Sequence, residues 1–196
     1  RSLLPLLRSG RRFFFFHPRF SDMELNPLTA LSPIDGRYAR QTDALRDIFS
    51  ECAFMNARVR VEVEWLISLS EAGFAELPHL SDHGKAFLRG LADNFSLADC
   101  EAIKEIEKTT NHDVKAVEYW IKNQVAHDEE LKSASEFVHF SCTSEDINNT
   151  SHAIMLKRGR EALADYLQQI HDTIAGFAHQ WAEIPMLSRT HGQTAS

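Results

Sequence analysis

From residue 145 to residue 183 the chain reads EDINNTSHAIMLKRGREALADYLQQIHDTIAGFAHQWAE, with no proline. Its apolar residues include Ala153, Leu156, Leu163, Leu167, Ile170, Ile174, Phe177 and Trp181. From Leu163 onward they recur after four, three, four, three and four residues, the 3.5-residue seam of a coiled-coil or long-bundle helix. Only Arg160 breaks it. At 1.5 Å per residue such a helix spans roughly 60 Å. A helix that long cannot bury its seam inside one domain of 196 residues. It needs other long helices, and this sequence supplies none. They are expected from further sequence, from other subunits, or from both. The chain therefore reads as a piece of a larger helical bundle, assembled as an oligomer.

The upstream sequence is helical as well. Residues 42–72 carry Leu45, Ile48, Phe49, Val59, Val63, Leu66 and Leu69 at threes and fours, and Gly73 and Pro78 close the stretch. A second helix is expected from Ser81 to about Asn94. Ser96-Leu97-Ala98-Asp99 has the form of a capping box opening a third, with Ile103 and Ile106 on one face. Thr109-Thr110-Asn111-His112-Asp113 interrupts it, and a fourth follows with Val114, Val117, Ile121 and Val125 on one side. No segment alternates with period two, so the fold class is all-α, with no sheet expected. Leu31-Ser32-Pro33-Ile34-Asp35-Gly36-Arg37-Tyr38 reads as a loop, with Ser-Pro extended and Asp-Gly a turn.

Composition narrows the function classes. The content is 43% hydrophobic and 25% charged, ordinary for a globular protein, with a formal net charge of -7. Residues 1–22 hold five arginines and one acid, and without them the charge is -11. That body argues against a nucleic-acid partner, which needs a basic footprint. No apolar run reaches transmembrane length, so no membrane partner is expected. Residues 1–22, with Arg11-Arg12-Phe13-Phe14-Phe15-Phe16, read as a leader ahead of a start at Met23, with a targeting segment or a short extension left open. The three cysteines, Cys52, Cys100 and Cys142, are odd in number and widely spaced. They fit a reduced, cytoplasmic protein better than a disulfide or zinc framework.

Three polar clusters punctuate the helices. Asn111-His112-Asp113 opens one as an N-cap Asn, and taken alone it is better explained by local capping than by function. Ser141-Cys142-Thr143-Ser144-Glu145-Asp146 opens the long helix. Thr143 and Asp146 suit a capping box, while the exposed N–H groups and two hydroxyls would also suit a carboxylate or phosphate. Ser188-Arg189-Thr190-His191-Gly192-Gln193-Thr194-Ala195-Ser196 places a histidine among hydrogen-bonding groups, where it could move a proton near neutral pH. The long helix separates the second and third clusters by roughly 60 Å, so one copy cannot join them in one site. Either they serve different sites or antiparallel subunits share them. Cys142 as a nucleophile with His139 or His152 as base lacks a visible oxyanion hole, and the histidines lack metal-binding spacing. No metal site and no glycine-rich phosphate loop is expected.

Four segments together carry a resemblance. Ser32-Pro33-Ile34-Asp35-Gly36-Arg37-Tyr38, Thr109-Thr110-Asn111-His112-Asp113-Val114-Lys115-Ala116-Val117-Glu118-Tyr119, Glu136-Phe137-Val138-His139-Phe140-Ser141-Cys142-Thr143-Ser144-Glu145-Asp146-Ile147-Asn148-Asn149 and Ser188-Arg189-Thr190-His191-Gly192-Gln193 resemble the adenylosuccinate lyase family, in its bacterial form, within the fumarase/aspartase superfamily. The resemblance runs from Met23 to Ser196. It implies an N-terminal helical domain over residues 23–135 and the start of a central helical bundle over residues 136–196. It further implies a cytoplasmic homotetramer with active sites shared between subunits.

The implied activity is β-elimination of fumarate from adenylosuccinate, giving AMP, and from SAICAR, giving AICAR, with no cofactor and a nucleotide as substrate. The resemblance makes His191 the general acid. It assigns Arg37 to the substrate phosphate with Tyr38 beside it, and Asn111, His112 and Asp113 to the nucleotide site. Thr143 and Ser144 take a succinyl carboxylate, and Gln193 touches substrate. The family's catalytic base is a serine on a downstream loop outside this sequence. The family usually has proline after His-Gly-Gln, where this chain has Thr194. Two other readings stand beside it: a sister lyase such as argininosuccinate lyase or fumarase, and a non-catalytic helical scaffold.

Overall fold

The computed structural model describes residues 28, 30–77 and 79–195, which form two compact units divided after Asp43. The expected leader over residues 1–22 lies outside the described residues. In the first unit, residues 31–42 wind as successive turns: Gly36 N donates to Ser32 O and Tyr38 N to Pro33 O, each at 2.9 Å. The Thr42 hydroxyl donates back to Ile34 O at 3.2 Å, which ties the Asp35-Gly36 turn closed.

The second unit holds the helices α1 (Arg46–Phe49), α2 (Glu51–Glu71), α3 (Asp82–Asp93), α4 (Leu97–Thr110), α5 (Asp113–Val125), α6 (Glu129–Ala134) and α7 (Ser144–Gln180). The expected stretch over 42–72 is thus two helices. Ser50 takes an extended conformation and its hydroxyl accepts from Ala53 N at 3.1 Å, restarting the helix as an N-cap. Gly73, in the left-handed region at φ 81, ends α2 as its sequence position suggests. The helix α3 begins at the cap Ser81, and α4 begins with the Ser96/Asp99 capping box. α6 and the 3-10 turn Ser135–Phe137 carry no periodic pattern long enough to reveal them.

α2 runs through the core. Val59, Val63 and Leu66 on α2 are nearly inaccessible, as are Leu88 on α3, Ile103 on α4, Val117, Ile121 and Val125 on α5, and Leu131 on α6. Each such side chain stabilises the fold by roughly 1.5–3 kcal/mol relative to exposure. α7 joins this core only at its start: Ile147, Ser151, Met155 and Gly159, four residues apart, form its buried edge. At Gly159 the Phe49 ring of α1 occupies the space a Cβ would fill. Beyond that point the seam is bare. Leu163, Leu167, Ile170, Ile174, Phe177 and Trp181 all remain exposed, Leu167 at 66% and Ile174 at 62%. Among the described residues the long helix has no partner for this face, as its spacing predicts.

Two expectations need correction. Cys52 on α2 and Cys100 on α4 are joined in a disulfide, with Cα atoms 5.7 Å apart, and only Cys142 is free. Their sequence separation of 48 gave no sign of this, because the packing of α4 against α2 brings them together. The absence of any strand also fails locally. Arg189–Thr190 (β1) and Gln193–Thr194 (β2) pair antiparallel, Arg189 with Thr194 and Thr190 with Gln193. Strands of two residues are too short to show a period.

Candidate active site

The Asn111-His112-Asp113 cluster forms the corner between α4 and α5. Asn111, not expected to end a helix, caps α4 in the left-handed conformation at φ 50, which Asn tolerates better than most residues. The N-cap of α5 is consequently His112 rather than Asn111. Its Nδ1 accepts from Lys115 N at 3.2 Å. A ring nitrogen that accepts carries no hydrogen, so the neutral ring holds its proton on Nε2. That Nε2–H faces the Ser144 hydroxyl oxygen at 3.3 Å. Two of the three clusters therefore meet: the nucleotide-site candidates at the start of α5 and the carboxylate-site candidates at the start of α7.

Thr143 and Ser144 divide their work. Both the backbone N–H and the hydroxyl of Thr143 donate to Asp146 Oδ2 at 2.8 Å, closing the capping box. These two bonds, the backbone one first, hold the Asp146 carboxyl below the ordinary range. The Ser144 hydroxyl is left for the His112 side. The N-terminus of a helix of 37 residues lies here, with its unpaired N–H groups and positive end of the dipole.

Sequence reasoning missed three residues of this corner. Arg58 on α2 is buried; its Nη2 donates to Asp113 Oδ2 at 2.5 Å and its Nε to Asn148 Oδ1 at 2.9 Å. Partial burial pushes the Asp113 carboxyl up, but the Val114 N–H and the Arg58 guanidinium outweigh it and leave it low. A cleft of about 390 Å³ opens between Arg58, Phe54, Glu107 and the Asn111–Asp113 corner. Glu62, one turn along α2, is fully buried and accepts from the His139 Nδ1–H at 2.6 Å. Burial raises its carboxyl, against the pull of His139. His139 and Ser141 both sit at positive φ, 63° and 62°, and Trp65 Nε1 donates to Phe140 O between them at 2.8 Å. Glu62 and Trp65 thus hold the wound segment that delivers Thr143 and Ser144. An Arg and a Glu four apart on a helix look like a solvated pair in sequence, which is why they gave no signal.

The Cys142 thiol is pushed up by burial first and by Glu62 second, the wrong direction for a nucleophile, and His139 faces Glu62 instead. Among the described residues no group of three or more His, Cys, Asp or Glu is placed to hold a metal ion.

His191 and Gln193 lie elsewhere. His191 at φ 50 and Gly192 at φ 77 form the two-residue turn between β1 and β2, the doubly left-handed turn that matches strand twist. Ala195 N donates to Ser188 O at 2.9 Å, so Arg189 and Thr194 are the pair without ladder bonds. Proline at 194 would therefore forfeit no ladder bond here, and Thr194 is compatible with the same loop. The helix α7, 37 residues and about 55 Å long, separates Ser144 from the segment that carries this turn. Arg37 and Tyr38 belong to the first unit, the guanidinium 4.9 Å from the ring centroid.

The sequence model of the lyase family matches residues 36–196. The chain belongs to this lyase family. Its relatives include adenylosuccinate lyases from Vibrio cholerae and Haemophilus influenzae, each 53% identical, and from Escherichia coli, 52% identical. Each match covers 89% of this chain and 39% of the relative. The chain thus spans about two fifths of the length of these relatives.

Proposed function

We propose that the protein containing this chain is an adenylosuccinate lyase, eliminating fumarate from adenylosuccinate and from SAICAR. The observation that carries the reading is the His112–Ser144 contact, which joins two motif segments 32 residues apart at one helix N-terminus. Four segments in order and identities above one half to three named adenylosuccinate lyases support it.

In this reading residues 23–135 are the N-terminal helical domain and residues 136–196 begin the central bundle. The exposed α7 seam packs against long helices of a cytoplasmic homotetramer. Antiparallel packing brings the His191 turn of one subunit to the His112–Ser144 corner of another. Arg37 takes the phosphate through its planar fork, with Tyr38 alongside. Asn111, His112 and Asp113 line the nucleotide. Thr143 and Ser144 offer the helix N-terminus to a succinyl carboxylate. A base removes the proton beside one carboxylate, and that C–H pair becomes the double bond of fumarate. The C–N pair leaves with nitrogen, which takes its proton from His191 while Gln193 holds substrate. No cofactor enters.

The test is a substrate panel followed by absorbance. The assembled protein turns over adenylosuccinate, with argininosuccinate and malate inert, and the 196-residue chain alone gives no turnover. Preference for argininosuccinate or malate would replace this reading with a sister lyase, and turnover by the isolated chain would remove the downstream serine loop as the required base.

A further inference from the structure

Arg58 is 5% exposed, and no other lysine or arginine among the described residues is buried. Its guanidinium ties three helices together. From α2 it reaches Asp113 at the start of α5 and Asn148 near the start of α7 through two different nitrogens. The Phe54 ring covers its face, 3.9 Å from Cζ, and stacks in turn on His152 of α7 at 4.5 Å. Asp113 follows His112 directly, and Asn148 lies one helical turn after Ser144. The two residues that Arg58 grips are thus the neighbours of the two side chains that meet at 3.3 Å.

Stability is a weak reason for such an arrangement. Burying a guanidinium carries a desolvation penalty that its partners must offset, and apolar replacements of buried ion pairs are often as stable. What an apolar residue lacks is direction. A planar fork fixes two acceptors at a set angle, which one ammonium cannot do.

We propose that Arg58 is a positioning residue. It sets the Asn111–Asp113 corner in register with the first turns of α7, so that His112 keeps its proton on Nε2 and aims it at Ser144. The ligand this alignment serves rests on the lyase reading, but the alignment itself does not.

The test follows the His112 ring nitrogens by 15N NMR in the assembled protein, with histidine selectively labelled, at a pH where the ring is neutral. The native chain should show two distinct nitrogens, Nδ1 bare and Nε2 protonated. Arg58→Lys keeps the charge opposite Asp113 but loses the bridge, and the two signals should collapse toward a tautomer average. Asn148→Ala removes one arm and leaves no unpaired charge buried, so it remains informative even if Arg58→Lys does not fold. It should shift the ring in the same direction by less. Phe95→Leu, in the Phe95–Trp120 contact away from the corner, destabilises the core and should leave the ring unchanged. An unaltered His112 pattern in both Arg58→Lys and Asn148→Ala overturns the proposal, as does an averaged pattern in the native chain. Failure of the assembled protein to split adenylosuccinate would remove the lyase reading and leave this result standing.

Discussion

At the residue scale, the two histidines of the proposed site were legible to different depths. His191 stood out because its neighbours are all hydrogen-bonding groups and no helix explains it. His112 was visible as part of a cap, yet the cap position was misassigned by one residue. The reason is local: Asn111 takes the left-handed conformation, which passes the N-cap to His112 and points Nε2 at Ser144. Arg58 and Glu62 were invisible, because nothing in a helical repeat says which polar residue will be turned inward. A general acid contributes on the order of 10²- to 10⁴-fold to a rate. If the assembled protein is the proposed lyase, His191→Ala should lower its kcat by that much while circular dichroism and assembly stay unchanged. A near-native rate would take His191 out of the chemistry.

At the element scale, caps read from sequence were largely those found. Ser81, Ser96 and Thr143 all open helices, since a cap depends on residues three apart and little else. The break at Ser50 and the six-residue α6 escaped, since one extended residue or one and a half turns leaves the apolar spacing intact. The Thr143 cap makes a prediction about acid. Its N–H and hydroxyl lower the folded-state value of Asp146 below the ordinary 3.8. The stability linked to that shift is present above the unfolded value and is lost as pH falls through the folded one. Thr143→Ala should weaken the start of α7 by about 1 kcal/mol at neutral pH. Its unfolding midpoint should also fall less steeply than the native one below about pH 4. Parallel pH profiles for the two proteins would contradict the role given to the Thr143 hydroxyl.

At the scale of the whole molecule, the seam and the disulfide make the predictions. Leu163, Leu167, Ile170, Ile174, Phe177 and Trp181 form one continuous apolar stripe with no cover among the described residues. Such a stripe drives association. Sedimentation should find the 196-residue chain self-associated, and Leu167→Lys with Ile174→Lys should return it to monomer; an unchanged profile would place the contact elsewhere. The disulfide predicts one titratable thiol, Cys142, in unreduced denatured protein and three after reduction. With its cysteines 48 positions apart, its loss should reduce stability by about 4 kcal/mol. Three thiols before reduction would show the bond absent in solution. By itself, the sequence determined the helical class, most of the caps, the unpaired seam and the residues of each polar cluster, because periodicity and capping act within a few residues along the chain. Only the tertiary structure decided that Cys52 meets Cys100, that Arg58 and Glu62 turn inward, and that His112 faces Ser144. Those contacts join residues 32 to 90 positions apart, and the packing of α2 against α4, α5 and α7 is what brings them within bonding distance.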